Sequence, residues 1–200
     1  MNILHIDSSI LGENSVSRQL THEVVESIRL AEASATVTYR DVSSDALVQL
    51  DGALLAAKGT PAEARDAVQA QQVALADAVM AEFLAADTLV IGAPMYNFSI
   101  PSQLKAWIDM ISVAGVTFKY GANGPEGLAG GKRAVIVATA GGQHAGTATG
   151  IAHIDYLRVL LGFLGITDIR VIAAEGLAMG PEVRDPALAA ARAKLSDIAA

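Results

Sequence analysis

The stretch Asp7-Ser8-Ser9-Ile10-Leu11-Gly12-Glu13-Asn14-Ser15-Val16-Ser17-Arg18 crowds hydroxyls into a loop that runs into a helical pattern. The first N–H groups of a helix lack partners within it and lie at the positive end of its dipole. A phosphate suits that chemistry, held by the hydroxyls of Ser9, Ser15 and Ser17 and by the backbone N–H of Val16. Helix capping alone accounts for the same serines, because serine is a preferred N-cap without any ligand. The loop is neither G-x-x-x-x-G-K-[ST] nor G-x-G-x-x-G. Near Gly131-Lys132, Glu126 and Arg133 stand where the first pattern needs glycine and Ser or Thr. A mononucleotide with one terminal phosphate therefore suits this loop better than a dinucleotide.

Two further stretches offer complementary chemistry. Pro94-Met95-Tyr96-Asn97-Phe98-Ser99-Ile100-Pro101 places aromatics in a loop, although the chain is only 4% aromatic. Such rings can lie against a flat heterocycle while Asn97 and backbone groups bond its edge, or they can simply staple the loop to the core. Thr139-Ala140-Gly141-Gly142-Gln143-His144 carries adjacent glycines, which let backbone approach a ligand closely or merely turn the chain. Each stretch alone is ambiguous, and convergence of all three on one site favours the ligand reading.

The elements that must position them are legible from hydrophobic pattern. Ile3 to Ile6, Leu89 to Ala93 and Ala134 to Ala138 are short unbroken apolar runs of the kind that sheets covered on both faces contain. Ile169 to Ala173 reads as a last strand, and alternating Thr36 to Arg40 as a half-exposed edge strand. Val16, Leu20, Val24 and Ile28 form a helical stripe. Thr60-Pro61-Ala62-Glu63 predicts the start of another helix, with Val68, Leu75, Val79 and Phe83 facing the core. Further helices are predicted from Pro101 to about Ala114, from Ile154 to Leu164, and from Pro186 after the cap Asp185, with Leu188, Leu195 and Ile198 inward. A short extra helix is expected around Leu47 to Ala57 within the segment Val42 to Lys58. The β-α-β alternation predicts an α/β fold, a doubly wound five-stranded parallel sheet in flavodoxin-like order 2-1-3-4-5 with helices on both faces. Ligands of such sheets sit beyond the strand carboxyl ends where the winding reverses, so the site is expected just after Asp7, Ala93 and Ala138.

Composition narrows the function. With 200 residues, one domain over 1–200 is expected. Fourteen Lys and Arg against 21 Asp and Glu give a net charge of −7, the wrong sign for tracking a phosphate backbone, so no nucleic-acid partner is expected. Zero cysteines exclude disulfides, thiolate metal sites and a cysteine nucleophile, so redox chemistry has to be borrowed from a cofactor. No apolar run approaches the roughly 20 residues that span a bilayer, and Met1 to Asp7 lacks a signal peptide's basic start, which together point to the cytoplasm. His22-Glu23-Val24-Val25-Glu26 has Glu26 in place of the second zinc ligand of H-E-x-x-H, and no G-x-S-x-G occurs, so neither a zinc peptidase nor an α/β-hydrolase is expected and no metal is assigned. His5 reads as a satisfied core residue, His153 as a helix-start residue, and His144 as a loop histidine that either faces solvent or meets substrate.

The segments S-S-I-L-G-x-x-S-x-S from Ser8, M-Y-N-F-S-I-P from Met95, G-V-T-F-K-Y-G-A-N-G-P-E-G-L from Gly115, T-A-G-G from Thr139, and G-F-L-G-I with A-E-G from Gly162 resemble the FMN-dependent NADH:quinone oxidoreductases, also called azoreductases. The likeness covers nearly the whole chain. It implies a flavodoxin-like homodimer with noncovalent FMN, taking two electrons from NADH or NADPH and passing them to quinones, azo compounds or nitroaromatics by a ping-pong cycle. Carried over by position, Ser9, Ser15, Val16 and Ser17 would contact the phosphate, Met95, Tyr96, Asn97 and Phe98 the flavin, and Thr139, Ala140, Gly141 and Gly142 its pyrimidine side. Phe118, Tyr120, Phe163 and His144 would shape the substrate pocket, although ordinary core or dimer packing also explains Phe118, Tyr120 and Phe163. No side chain is expected to be catalytic, because hydride transfer belongs to flavin N5. Ala140 departs from the family's frequent Ser-Arg-Gly-Gly, which removes an arginine contact. Two rivals remain at this point: an FMN electron carrier with no substrate of its own, and a flavin-free nucleotide-binding protein.

Overall fold

The computed structural model describes residues 1–45 and 47–199, so the last residue of the expected 1–200 unit lies outside it. Five parallel strands form the main sheet: β1 (Asn2–Asp7), β2 (Thr36–Asp41), β3 (Thr88–Pro94), β6 (Arg133–Thr139) and β7 (Asp168–Ala174). Each apolar run widened by a residue or two into one of these strands. The sheet order is β2-β1-β3-β6-β7 rather than 2-1-3-4-5, because an antiparallel hairpin of β4 (Phe118–Gly121) and β5 (Gly124–Gly127) enters the chain before β6. The hairpin was unforeseen: its eight residues include three glycines and a proline, and they lack the apolar alternation that marks a strand.

Alternation along the strands divides the core. Leu89 and Ile91 face one side with Leu4, Ile6, Ala134 and Ile136, whereas Val90 faces the other with Ile3, Val135 and Val137. The first side is covered by α3 (Ala67–Ala85), α4 (Ser102–Ile111) and α5 (Tyr156–Phe163) through Phe83, Leu104, Trp107 and Leu161. The second is covered by α1 (Val16–Ala31), α6 (Pro181–Ala193) and α7 (Leu195–Ala199) through Leu20, Val24, Ile28, Ala191 and Ile198. Every residue of β3 is buried, whereas the first four residues of β2, at the sheet edge, are exposed.

Three helix starts differ from the sequence reading by a turn or more, whereas α5 begins at Tyr156 where Ile154 is expected. The helix expected from Thr60-Pro61-Ala62-Glu63 begins only at Ala67, after a 3-10 turn over Ala62–Ala64. Asp66 caps it, accepting from Gln69 N–H while the Gln69 side chain accepts from Asp66 N–H, a capping box like the one the Thr60 segment also offers. The buried stripe accordingly runs through Val73, Ala76, Val79 and Phe83, with Val68 exposed and Leu75 half-buried. The extra helix, α2, spans Gly52–Gly59 rather than 47–57 because Asp51 caps it through Leu54 N–H at 2.8 Å. The last expected start, at Pro186, falls inside α6, which begins at Pro181, where proline's missing donor costs nothing. No helix among the described residues is long and apolar enough to cross a membrane.

Candidate functional site

Register fixes the rim on which the loops meet. Pairing of Pro94 with Thr139, and of Thr139 with Ala174, lines up the carboxyl ends of β3, β6 and β7, with Asp7 ending β1 on the same side. A cavity of about 340 Å³ opens there, walled by Ser9, Ser15 and Val16 from the first loop, Met95 and Tyr96 from the second, and Thr139, Ala140 and Gly141 from the third. Met95 and Tyr96 also line a larger adjoining cleft of about 850 Å³ together with Ile10, Asn97, Ile100 and Tyr156.

The first loop is tied down from both sides. Ser15 caps α1, accepting from Arg18 N–H at 3.3 Å, and its hydroxyl lies 3.0 Å from that of Ser17, both side chains being buried. The Arg18 guanidinium donates to the Ser9 carbonyl at 2.8 Å and to Asp41 at 2.7 Å, and also reaches Ser43 and Tyr39. Burial works against ionisation of Asp41, but hydrogen bonds from Ser43 and Arg18 hold its carboxyl below the usual range. The Tyr96 hydroxyl joins the first two loops, lying 3.2 Å from Ser9 Oγ and accepting from Ile10 N–H at 3.2 Å.

The second loop turns tightly. Tyr96 and Ser99 exchange both backbone hydrogen bonds, and the two residues between them, Asn97 and Phe98, have φ of 49° and 68°. These are the only positive φ values outside glycine among the described residues. Asparagine tolerates this region, but phenylalanine there carries strain, about 1–3 kcal/mol per residue of the kind that concentrates at ligand sites. Ser99 Oγ donates to the Ala152 carbonyl at 3.0 Å, and the exposed Phe98 ring meets His144 edge-on, centroids 5.8 Å apart.

In the third loop the carbonyls of Ala140, Gly141 and Gly142 accept from Leu177, Ala178 and Gly176 N–H. This leaves a pattern of backbone donors around the cavity. Among the described residues, Val16, Ser17, Asn97, Phe98, Gly141 and Gly142 N–H donate no hydrogen bond. Val16 and Ser17 N–H are the free donors of a helix start, and the other four sit in open loops, so all six are available to a ligand rich in acceptors. A phosphate at α1 and the carbonyl-bearing edge of an isoalloxazine match them in kind.

Not every expected site residue joins this rim. Phe118, Tyr120 and Phe163 form their own aromatic group, Phe118 lying 4.7 Å from Phe163 and 5.7 Å from Tyr120 between ring centroids, and none lines either cavity. His144 is half-buried, its Nδ1 3.0 Å from Thr149 Oγ1. His5 is buried but not satisfied, because its Nε2 has no hydrogen-bond partner and sits 3.5 Å from Asp7. Leu177, Ala178 and Arg184 line the cavity although the sequence reading passed over them. The signal was present: the rule placing ligands beyond strand carboxyl ends applies to β7 as well, and Gly176 and Gly180 follow it.

His153 lies in a π-turn over Ile151–Asp155 rather than at a simple helix start, and its Nε2 is 2.8 Å from the Ala93 carbonyl at the end of β3. Burial pushes its imidazole below the ordinary value, despite that bond and the nearby Glu175 carboxylate. The unfolded chain therefore takes up a proton that the fold refuses once pH falls below about 6.5. The melting midpoint of the natural protein should fall more steeply between about pH 7.5 and about pH 5.5 than that of His153→Gln. Parallel curves would contradict this assignment.

Comparison with known proteins places the chain. The family model described as flavodoxin-like fold matches residues 1–199. The FMN-dependent NADH:quinone oxidoreductase 2 of Pseudomonas aeruginosa is 60% identical over 196 residues, covering 98% of this chain and 97% of its own. The FMN-dependent NADH:quinone oxidoreductase 3 of Pseudomonas fluorescens is 58% identical over 197 residues, with coverage of 98% and 97%. Among solved structures, an FMN-dependent NADH-azoreductase from Bacillus anthracis in complex with FMN aligns with a TM-score of 0.86 at 26% identity, covering all of both chains.

Proposed function

The chain belongs to the flavodoxin-like fold family and, within it, to the FMN-dependent NADH:quinone oxidoreductases; from that premise we propose that it is a homodimer, a single unit over 1–200 in each subunit, acting in the cytoplasm. It carries electrons from NADH to quinones and to azo or nitroaromatic compounds, with donor and acceptor using one pocket in turn. Its cofactor is FMN, as for its relatives. When bound, FMN supplies hydride acceptance and two-electron donation.

The chain's own residues hold and orient. Val16 and Ser17 N–H, at the positive end of α1, take the phosphate with Ser9, Ser15 and Ser17 hydroxyls around it. The Tyr96–Ser99 turn is held in its left-handed form by its own reciprocal hydrogen bonds, so that Asn97 and Phe98 N–H are presented without rearrangement on binding. Gly141 and Gly142 N–H face the pyrimidine side, where developing negative charge needs donors. Ile10, Met95, Tyr96, Ile100 and Tyr156 provide the apolar part of a cleft for planar acceptors, with Gln103 and Lys105 on its polar side. Phe118, Tyr120 and Phe163 serve this pocket from a second subunit or remain packing residues, and the 75% exposure of Tyr120 supports the former.

The observation that carries this reading is the single cavity walled by three loops distant in sequence, with the free N–H of Val16 at the start of α1 in its lining. Rapid mixing tests it: NADH should bleach the flavin absorbance of the holoprotein, and a benzoquinone added afterwards should restore it. Absence of bleaching, or reduced flavin that the quinone leaves untouched, would overturn it.

A further inference from the structure

The FMN reading leaves an electrostatic question that the structure answers at a residue outside the three loops. An FMN phosphate carries about two negative charges at neutral pH, whereas the protein's formal charge is −7, so its overall field opposes the ligand. The groups expected to hold the phosphate are neutral hydroxyls and N–H groups from Ser9, Ser15 and Val16. Ala140 contributes a buried methyl to the same wall and no charge. Arg18 is nearest in sequence, but its guanidinium is committed to the Ser9 carbonyl, Tyr39, Asp41 and Ser43.

One cation lines the cavity among the described residues, Arg184 in the first turns of α6. Its guanidinium donates no hydrogen bond among the described residues, and its ion-pair neighbour is the exposed Asp185, 3.8 Å away, beyond hydrogen-bonding distance. The side chain is 45% exposed, leaving it free to swing toward a ligand. Gly180, with φ of +92°, and Pro181 set where α6 begins and so where Arg184 projects.

We propose that Arg184 is the cationic ligand of the cofactor's phosphate, supplied from α6, and that it makes the site selective for FMN over unphosphorylated riboflavin. A guanidinium suits this role because its fork of donors matches phosphate oxygens. The inference rests on FMN being the cofactor, and the test separates the two.

Flavin fluorescence recovered on serial dilution of the loaded protein measures its affinity for FMN and, in parallel, for riboflavin. Arg184→Ala and Arg184→Gln should weaken FMN by about tenfold, as for loss of one charged hydrogen bond. Riboflavin affinity should change less than about twofold, and Arg184→Lys should recover most of the FMN affinity. Added salt should narrow the gap between natural protein and variant. An unchanged FMN affinity, or equal weakening for both flavins, overturns the proposal while leaving the FMN reading intact. A natural protein that binds no FMN overturns both.

Discussion

Ser15→Asp should abolish retention of FMN while leaving the protein folded, because the cap bond and the helix dipole offset the desolvation of a buried carboxylate. Aspartate is as good an N-cap as serine, so the bond from Arg18 N–H survives, and a carboxylate in the first turn favours the helix dipole. Ser17, 3.0 Å from Ser15 Oγ, remains able to donate to the new oxygen. The same carboxylate occupies the wall where the phosphate is to sit. Like charges at about 4 Å repel by about 4 kcal/mol at an effective dielectric near 20, which corresponds to about a thousandfold in affinity. Ser15→Asn provides the control, since it has the same shape and capping ability without the charge, and should lose about tenfold or less. Flavin content after purification and the thermal midpoint are the readouts. If Ser15→Asp keeps its FMN, the phosphate lies elsewhere.

Gly127→Ala should lower the melting midpoint by about 10 °C. A Cβ built on Gly127 meets Gly165 N at 2.2 Å and Leu164 C at 2.3 Å, both backbone atoms that cannot rotate away. Separating the hairpin from the turn after α5 breaks the packing of Phe118 on Phe163 and the bond from Ala129 N–H to the Leu164 carbonyl. The cost is about 3 kcal/mol, at about 2–4 °C per kcal/mol for a chain of this size. Gly121→Ala in the same hairpin, where the nearest atom lies at 3.7 Å, should move the midpoint by less than about 2 °C. Equal effects of the two substitutions would contradict this packing account.

The strands were readable because burial on both faces leaves an apolar run too short for a helix, as in Leu89 to Ala93, and the structure buries every residue there. Helix starts were less so. Thr60-Pro61 and Asp185-Pro186 carry start signals as strong locally as Asp66 and Gly180-Pro181, and which one wins depends on where the apolar stripe docks, a tertiary matter. The hairpin was invisible for a related reason, since its stability comes from Phe163 and from glycine meeting glycine across elements distant in sequence. At the site, the hydroxyl, aromatic and glycine loops were legible because strand carboxyl ends concentrate unusual residues. Arg184 was not, because one arginine in an amphipathic helix carries no signal until the cavity beside it is seen.

Hydrogen exchange on the protein with and without FMN tests most directly whether these loops grip one ligand. Slowed exchange is expected in the segments 9–18, 95–99 and 140–142 and at the start of α6. Protection confined to other segments, or absent from any of the three loops, would contradict the convergence on which the functional reading stands.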